Sequence, residues 1–186
     1  MGQTPLLLAA LRGQKTAVTL LLAKGAKIEA TDQQGNTPLL CAAGNGHFAV
    51  VELLLKSGAN IEARNYSYGE TPLMAAILLE RGAMVKLLLD HGANTETTNS
   101  TDSETPLLRA ATLGQTSVVT LLLEKGAKVG VKDRLGRTAL WWAASQGHEV
   151  VVQLLLNHSA DIEAEDDTYD RTPLLQAAKK RPRGRD

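Results

Sequence analysis

The sequence predicts an all-α solenoid built from repeated helix–turn–helix units, and three regularities along the chain support this prediction. A Thr-Pro-Leu or Thr-Ala-Leu segment recurs every 33 or 34 residues, a leucine triplet follows each of the first five segments, and turns rich in glycine separate the units. A period in this range is typical of units that bury their apolar faces only against neighbouring units, so the expected product is an extended surface. The segments begin at Thr4, Thr37, Thr71, Thr105, Thr138 and Thr172.

Each unit contains two short helical patterns. In the second unit, Thr37 is placed to cap the first helix, and Pro38 fits its first turn, where a missing backbone N–H does no harm. Gly46 supplies the backbone freedom that ends this helix. The second helix is apolar around much of its circumference, as expected for a helix that packs on several sides, and Gly58 ends it.

Together these residues resemble the ankyrin repeat, whose units carry Asp-x-x-Gly-x-Thr-Pro-Leu-His, paired alanines and a leucine triplet in this register. The resemblance covers residues 1 to about 180 and implies an ankyrin-repeat solenoid with β-hairpin-like turns between repeats. A basic tail, residues 181–186, follows this single array. The predicted repeats are 1–31, 32–65, 66–99, 100–132, 133–166 and a partial repeat, 167–180.

The chain departs from the family pattern at several positions. An apolar residue replaces the family's histidine in every repeat, so we expect apolar packing in place of a hydrogen bond between turns. Glu80 replaces the glycine that ends a first helix, and Gly82 follows, which predicts a longer first helix in the third repeat. Ser159 replaces a helix-ending glycine, at a cost of about 1 kcal/mol if it is left-handed, and Ser103 and Asp170 replace turn glycines. The apolar replacements are Leu7, Leu40, Met74, Leu108, Trp141 and Leu175.

Both ends of the array interrupt a repeat. The first repeat opens at Gly2-Gln3, and the last has a first helix but no second helix after Arg181-Pro182. Because terminal repeats normally carry polar caps, we expect either a segment of a longer array or ends that another element covers. Exposed leucines near Leu6 would otherwise favour self-association.

Composition argues against several classes of protein. The chain has 20 basic and 20 acidic residues, but five of the basic ones lie within residues 179–186. The remaining body is therefore mildly acidic and a poor match for a nucleic-acid backbone. No apolar run approaches the roughly 20 residues that cross a bilayer, so we expect no membrane insertion. The single cysteine, Cys41, is compatible with a reducing compartment, which favours the cytoplasm or nucleus.

No arrangement of residues indicates catalysis, a cofactor or a metal. Cys41 has no plausible base beside it, and no serine lies in a Gly-x-Ser-x-Gly elbow. The Gly44-Asn45-Gly46 segment lacks a preceding strand and a P-loop lysine. Four histidines recur at two positions of the repeat, two at the Gly-His position and two near the ends of second helices, without the partner ligands of a metal site. These are His47, His91, His148 and His158.

The family resemblance implies a binding surface made of turn tips and the inner face of the first helices. Three leucines stand where neighbouring repeats carry polar residues, and together with nearby aromatic residues they form an apolar strip of the kind that anchors partners. Charge along the tips changes from acidic to basic. The predicted partner-binding residues are Tyr68, Glu70, Leu78, Leu79, Asp102, Glu104, Arg109, Leu113, Arg134, Leu135, Arg137, Trp142, Tyr169 and Arg171.

The same residues also admit a packing interpretation. In this alternative Trp142 covers adjacent alanines, and the leucines at 78 and 79 pack inside a lengthened helix. Glu104 then pairs with Arg137 across repeats. Loss of folding, rather than loss of binding, on truncation would favour this interpretation.

The sequence therefore predicts a non-enzymatic module that binds an unidentified protein partner, takes no small-molecule substrate, and belongs to a larger regulatory, sensor or scaffold protein. It is expected to be a monomer or to self-associate weakly. The alternative is a self-associating or engineered structural scaffold. Nucleic-acid binding through Lys179–Arg185 is a third, less favoured interpretation, because no aromatic residues interleave with this tail for base stacking.

Overall fold

The computed structural model describes residues 2–179, so Lys180 and the basic tail, residues 181–186, lie outside the described residues. Within residues 2–179 there are eleven helices and no strand, as the repeat pattern predicts. Short first helices alternate with nine-residue second helices. The helices are α1 Pro5–Leu11, α2 Lys15–Ala23, α3 Pro38–Gly44, α4 Phe48–Lys56, α5 Pro72–Leu78, α6 Gly82–Asp90, α7 Pro106–Thr112, α8 Thr116–Glu124, α9 Ala139–Gln146, α10 Glu149–Asn157 and α11 Pro173–Lys179.

A threonine hydroxyl caps every first helix. Thr37 Oγ1, for example, accepts a hydrogen bond from the backbone N–H of Leu40 at 3.2 Å. The equivalent bonds at the other first helices measure 3.2 to 3.4 Å. Each such cap contributes about 1 kcal/mol. The prediction of Thr caps followed by first-turn prolines is thus confirmed, and only α9 begins with alanine instead.

Histidine links successive repeats at the start of two second helices. His47 Nε2 lies 2.9 Å from the carbonyl oxygen of Leu11, and His148 Nε2 lies 3.0 Å from that of Thr112. Each ring packs over a glycine of the preceding repeat, where an added Cβ would lie 2.5 Å from the ring. These two histidines therefore serve the stacking of the repeats.

Four non-glycine residues of the described part of the chain adopt the left-handed conformation at the turn positions that the family fills with glycine. Their φ angles are 56° at Glu80, 56° at Ser103, 63° at Ser159 and 50° at Asp170. The expectation of a longer first helix in the third repeat is wrong, because α5 ends at Leu78 with the usual seven residues. The turn keeps its shape because Glu80 accepts the strained backbone conformation.

The turns between repeats are hairpin-like and are joined to one another through the backbone. Within one turn, the Asp133 N–H donates to the Arg137 carbonyl at 3.0 Å. Between turns, the N–H of Tyr66 donates to Gln34 at 2.7 Å, and the N–H of Asp167 donates to Leu135 at 2.9 Å. These bonds fix the spacing of successive turn tips.

The chain divides into two compact blocks. The amino-terminal block comprises the residues up to Asn94 together with Asn99–Thr101, and the carboxyl-terminal block comprises Thr95–Thr98 and the residues from Asp102 onward. In the first block α1 contacts α3 and α3 contacts α5; in the second, α7 contacts α9 and α9 contacts α11. One continuous array with the repeat boundaries given above stays a prediction.

The core of each block is mostly leucine, valine and alanine, with a few larger residues such as Met74 and Trp141. The leucine of Thr-Pro-Leu or Thr-Ala-Leu is only 1–2% exposed in each of the first five repeats. Leu6 is among these buried leucines, so the expectation of exposed leucines beside it is wrong; the exposed leucine of the first repeat is Leu20, on α2. None of the described helices has the length and apolar character needed to cross a membrane.

We predict that Glu80→Gly stabilises the protein by about 1 kcal/mol, because glycine adopts the left-handed conformation without the strain of a side chain. The matched control is Glu52→Gly, an exposed position within α4, where glycine should destabilise by about 1 kcal/mol. Urea unfolding followed by circular dichroism measures both changes. Two changes of the same sign would contradict the assignment of strain to Glu80.

Candidate protein-binding surface

Two leucines at the end of α5 form the apolar part of the surface in the amino-terminal block. Leu78 is the last residue of the helix, and Leu79, its C-cap residue, is 52% exposed. One methyl group of Leu79 lies over Gly44, where an added Cβ would stand 3.2 Å away. The packing alternative is therefore wrong in placing these leucines inside a lengthened helix, because both remain largely open to solvent.

The turn before α5 contributes two exposed tyrosines. Asn65 Oδ1 accepts the backbone N–H groups of Tyr68 and Glu70 at 3.1 and 3.0 Å, which shapes the turn. Tyr68 is exposed, whereas Glu70 is buried. Tyr66, which sequence reasoning missed, is 72% exposed, and its ring packs over Gly35. Two tyrosines flanking a serine in a polar turn were the available signal.

In the carboxyl-terminal block, Arg109 and Glu104 form a nearly buried ion pair. Arg109 donates from Nη2 and from Nε to Glu104 Oε2 at 2.7 and 2.9 Å. Removing one partner of such a pair leaves a buried charge and costs about 3–5 kcal/mol. Arg109 is buried, while Asp102 and Leu113 are exposed. Arg109 and Glu104 thus stabilise the surface from within the molecule.

Asp133 organises the next turn and its arginine and tryptophan. Its side chain is 3% exposed and accepts the backbone N–H groups of Leu135 and Arg137 at 2.8 and 3.0 Å. The same carboxylate accepts Arg137 Nε at 2.9 Å and Trp142 Nε1 at 3.0 Å. Sequence reasoning did not single out this residue, although an aspartate that opens a turn is the usual signal of such side chain to backbone bonding.

The guanidinium of Arg137 also lies on the two tryptophan rings. It is 4.2 Å from the ring centroid of Trp142 and 5.4 Å from that of Trp141. The two rings meet edge to face, with centroids 5.1 Å apart. Arg137 is therefore held by Asp133 and the indoles, and Glu104 is held by Arg109, in place of the Glu104–Arg137 pair of the packing alternative.

The residues at the family's histidine position were expected to replace its hydrogen bond with apolar packing, and Trp141 is the exception. Its counterparts Leu7, Leu40, Met74 and Leu108 are buried apolar residues, as expected, whereas Leu175 is exposed. The side chains of these five residues are apolar and have no group that could replace the histidine's hydrogen bond. Trp141 is also buried, but its Nε1 donates to Asp166 Oδ2 in the following turn at 3.2 Å. Apolar packing alone is therefore the wrong description for the fifth repeat.

The last turn presents an aromatic residue and an arginine together. Tyr169 is 64% exposed, and the Arg171 guanidinium lies 4.1 Å from its ring centroid. Arg134 and Leu135 are exposed at the tip of the preceding turn. These tips combine apolar surface with positive charge, as the sequence predicts for this end of the chain.

The protein shifts the pKa values of Asp166 and Cys41 in opposite directions. Burial opposes ionisation of Asp166, but the backbone N–H groups of Tyr169 and Thr168, the Trp141 indole and the Arg171 charge outweigh it and lower its pKa. Burial and then the charge of Asp32 raise the pKa of Cys41 to about 11. A thiol with so high a pKa is a poor nucleophile at neutral pH.

The comparisons with known proteins agree with this architecture. A family model described as ankyrin repeats (3 copies) matches residues 1–65, 62–133 and 128–184. The chain belongs to the ankyrin-repeat family. Ankyrin repeats are generally protein–protein interaction modules, and the family is typically non-enzymatic. A search of curated proteins found no match. Among the described residues, no group of three or more His, Cys, Asp or Glu side chains is arranged to hold a metal ion.

We predict that acidification weakens the junction between the fifth and sixth ankyrin repeats through Asp166. Its folded pKa lies below its unfolded value, so the carboxylate stabilises the fold above about pH 4 and loses this effect as pH falls through the folded pKa. The Trp141 indole N–H resonance should shift in this range. Asp166→Asn, in which an amide oxygen still accepts hydrogen bonds, should remove the pH dependence; an unchanged profile would contradict the prediction.

Proposed function

We propose that this chain is a non-enzymatic protein-binding module of a larger regulatory, sensor or scaffold protein, and that turn tips and first-helix ends contact the partner. The observation that carries the proposal is the exposure of large apolar and aromatic side chains at these positions in each block. Aromatic side chains are enriched among the few residues that supply most of the binding energy at protein interfaces, and burial of exposed leucine side chains adds a hydrophobic contribution. The family's general role supports the same function.

In the amino-terminal block, Leu78 and Leu79 are the proposed apolar anchors, with Tyr66 and Tyr68 at the neighbouring turn tip. Each half-exposed leucine still has apolar area to bury, and full burial of a leucine side chain contributes about 1.5–3 kcal/mol. A tyrosine adds a large apolar ring and a hydroxyl that can bond to the partner. The buried Glu70 then supports the turn from within.

In the carboxyl-terminal block, Leu113, Leu135, Tyr169 and the half-buried Trp142 are the proposed anchors. Trp142 is already fixed by its bond to Asp133 and by the arginine on its ring, so a partner that contacts it orders little additional motion. Such preorganisation lowers the entropic cost of binding.

Charge at this end favours a partner with acidic groups beside its apolar contacts. Arg134 is exposed at one tip, and Arg171 stacks on Tyr169 at the next. The Arg109 charge is compensated inside the molecule by Glu104. Asp102, exposed at an earlier turn tip, provides the acidic contact that the sequence predicts there.

The test is a quantitative pull-down from cell extract with two double variants, each confined to one block. Tyr68→Ala with Leu79→Ala removes exposed anchors of the first block, and Leu135→Ala with Tyr169→Ala removes those of the second. We expect at least one variant to lose a partner, with Kd raised by about tenfold or more. Circular dichroism should show unchanged folding, because all four side chains are exposed.

The matched control is Leu20→Ala with Phe48→Ala, which truncates exposed apolar residues on α2 and at the start of α4. This control should keep the partners of the parent chain. A partner that survives both double variants but is lost with the control would move the binding surface to the second helices. Sedimentation that depends on protein concentration, with no partner enriched, would instead support the self-associating scaffold.

A further inference from the structure

A glutamate at the end of each of the first three repeats bonds that repeat to the next one. It lies in the outer turn, the segment that follows the second helix of a repeat. In each case the carboxylate accepts a backbone N–H from the outer turn 31 or 32 residues further along the chain, at 2.8 to 3.0 Å. These bonds, which we call glutamate links, join Glu29 to Asn60, Glu62 to Asn94, and Glu96 to Lys128.

The fourth repeat carries a glycine at the position of these glutamates. Gly130 occupies this position, and Asp161 occupies the position whose N–H the link would bind. Glycine has no side chain that can accept this N–H. A Cβ added to Gly130 would meet no described atom within 4 Å, and the φ angle of Gly130 lies outside the left-handed region. The backbone therefore does not require glycine here, and the space of the missing carboxylate is open.

The outer turn of the fifth repeat also carries backbone strain. In the first four repeats a glycine with φ between 83° and 88° follows the second helix. Ser159 takes this position after α10, with φ of 63°. A side chain in the left-handed conformation costs free energy that glycine avoids. Two independent features, Gly130 and Ser159, thus lower the stability of the same turn.

The segment with these two features lies between well-attached neighbours. At the start of α10, His148 bonds to the carbonyl oxygen of Thr112 at 3.0 Å, and α10 packs on α8. After the outer turn, Lys132 Nζ donates to the carbonyl oxygen of Glu165 at 3.0 Å. The weakened attachment is therefore confined to the end of α10 and residues 158–164.

From these contacts we infer a hinge in the carboxyl-terminal block. The end of α10 and residues 158–164 open locally, while α8 and the start of α10 stay packed. Segments of low local stability are the ones that move when proteins bind and release partners. The hinge lets the fifth repeat change shape at one end without unfolding. It does not rest on the proposed function, since none of its residues is a proposed anchor.

Native-state hydrogen exchange of the isotope-labelled full chain, followed by NMR, tests the hinge. The probes are the N–H groups of Ala160 and Ala127, which bond to the carbonyl oxygens of Leu155 in α10 and Leu122 in α8 at 3.1 and 2.9 Å. After correction for intrinsic exchange rates, Ala160 should exchange about tenfold or more faster than Ala127. Equal rates would overturn the proposal.

Variants at residue 130 separate the missing glutamate link from general fraying of α10. Gly130→Glu should slow exchange at Ala160 about tenfold, because it supplies a charged acceptor for the Asp161 N–H. Gly130→Ala is the matched control. It restricts the backbone without adding an acceptor, so it should slow exchange less. An unchanged rate in Gly130→Glu, or equal slowing by both variants, would contradict the hinge.

Two further variants test the links and the strain separately. Glu29→Ala removes the link to Asn60 and should speed exchange at Ala59, the counterpart of Ala160 in the second repeat, about tenfold. Ser159→Gly should slow exchange at Ala160, because glycine relieves the left-handed strain. Unchanged exchange at Ala59, or a rate at Ala160 that Ser159→Gly leaves unchanged or raises, would overturn the proposal.

Discussion

Burial of one leucine per repeat, between the two helices of that repeat and the neighbouring first helix, is the interaction on which the rest of the structure depends. Helices of seven and nine residues do not persist alone in water, because nucleation outweighs the few hydrogen bonds they gain. Almost complete burial of each leucine contributes about 1.5–3 kcal/mol. Each helix is thus stable only in contact with its neighbours.

The turns are fixed by a different constraint, since each must reverse the chain and bring the next threonine cap into register. An aspartate or asparagine at the start of the turn accepts two backbone N–H groups, as Asp32, Asn65, Asp133 and Asp166 do. A residue of positive φ completes the reversal. The backbone is therefore satisfied within the turn, which leaves tip side chains such as Tyr169 free to contact solvent or a partner.

The candidate surface combines exposed anchors with buried polar supports. Asp133 holds a turn, an arginine and a tryptophan at once, so its effect reaches well beyond its own position. Arg109 and Glu104 compensate each other's charge below the surface. This division explains why residues of one sequence pattern differ in role: some present area to a partner, and others hold that area in place.

The positions of the helices and turns within each repeat could be predicted from the sequence for physical reasons. The Thr-Pro-Leu spacing, the caps and the apolar pattern act over three or four residues, so they predict the helices, the turns and the family without tertiary information. Exposure at the candidate surface was harder to read, since Glu70 and Tyr68 occupy the same turn yet only one is buried. Neither spacing nor residue type distinguishes the two.

The sequence by itself determined a solenoid of paired short helices, its threonine caps and its family. Only the tertiary structure decided that α5 keeps its usual length with a left-handed Glu80, that Arg137 binds Asp133 and the tryptophans, and that Trp141 bonds to Asp166. The physical reason is one of range. Caps and apolar periodicity depend on neighbours along the chain, whereas the Trp141–Asp166 bond depends on groups that only the packed repeats bring together.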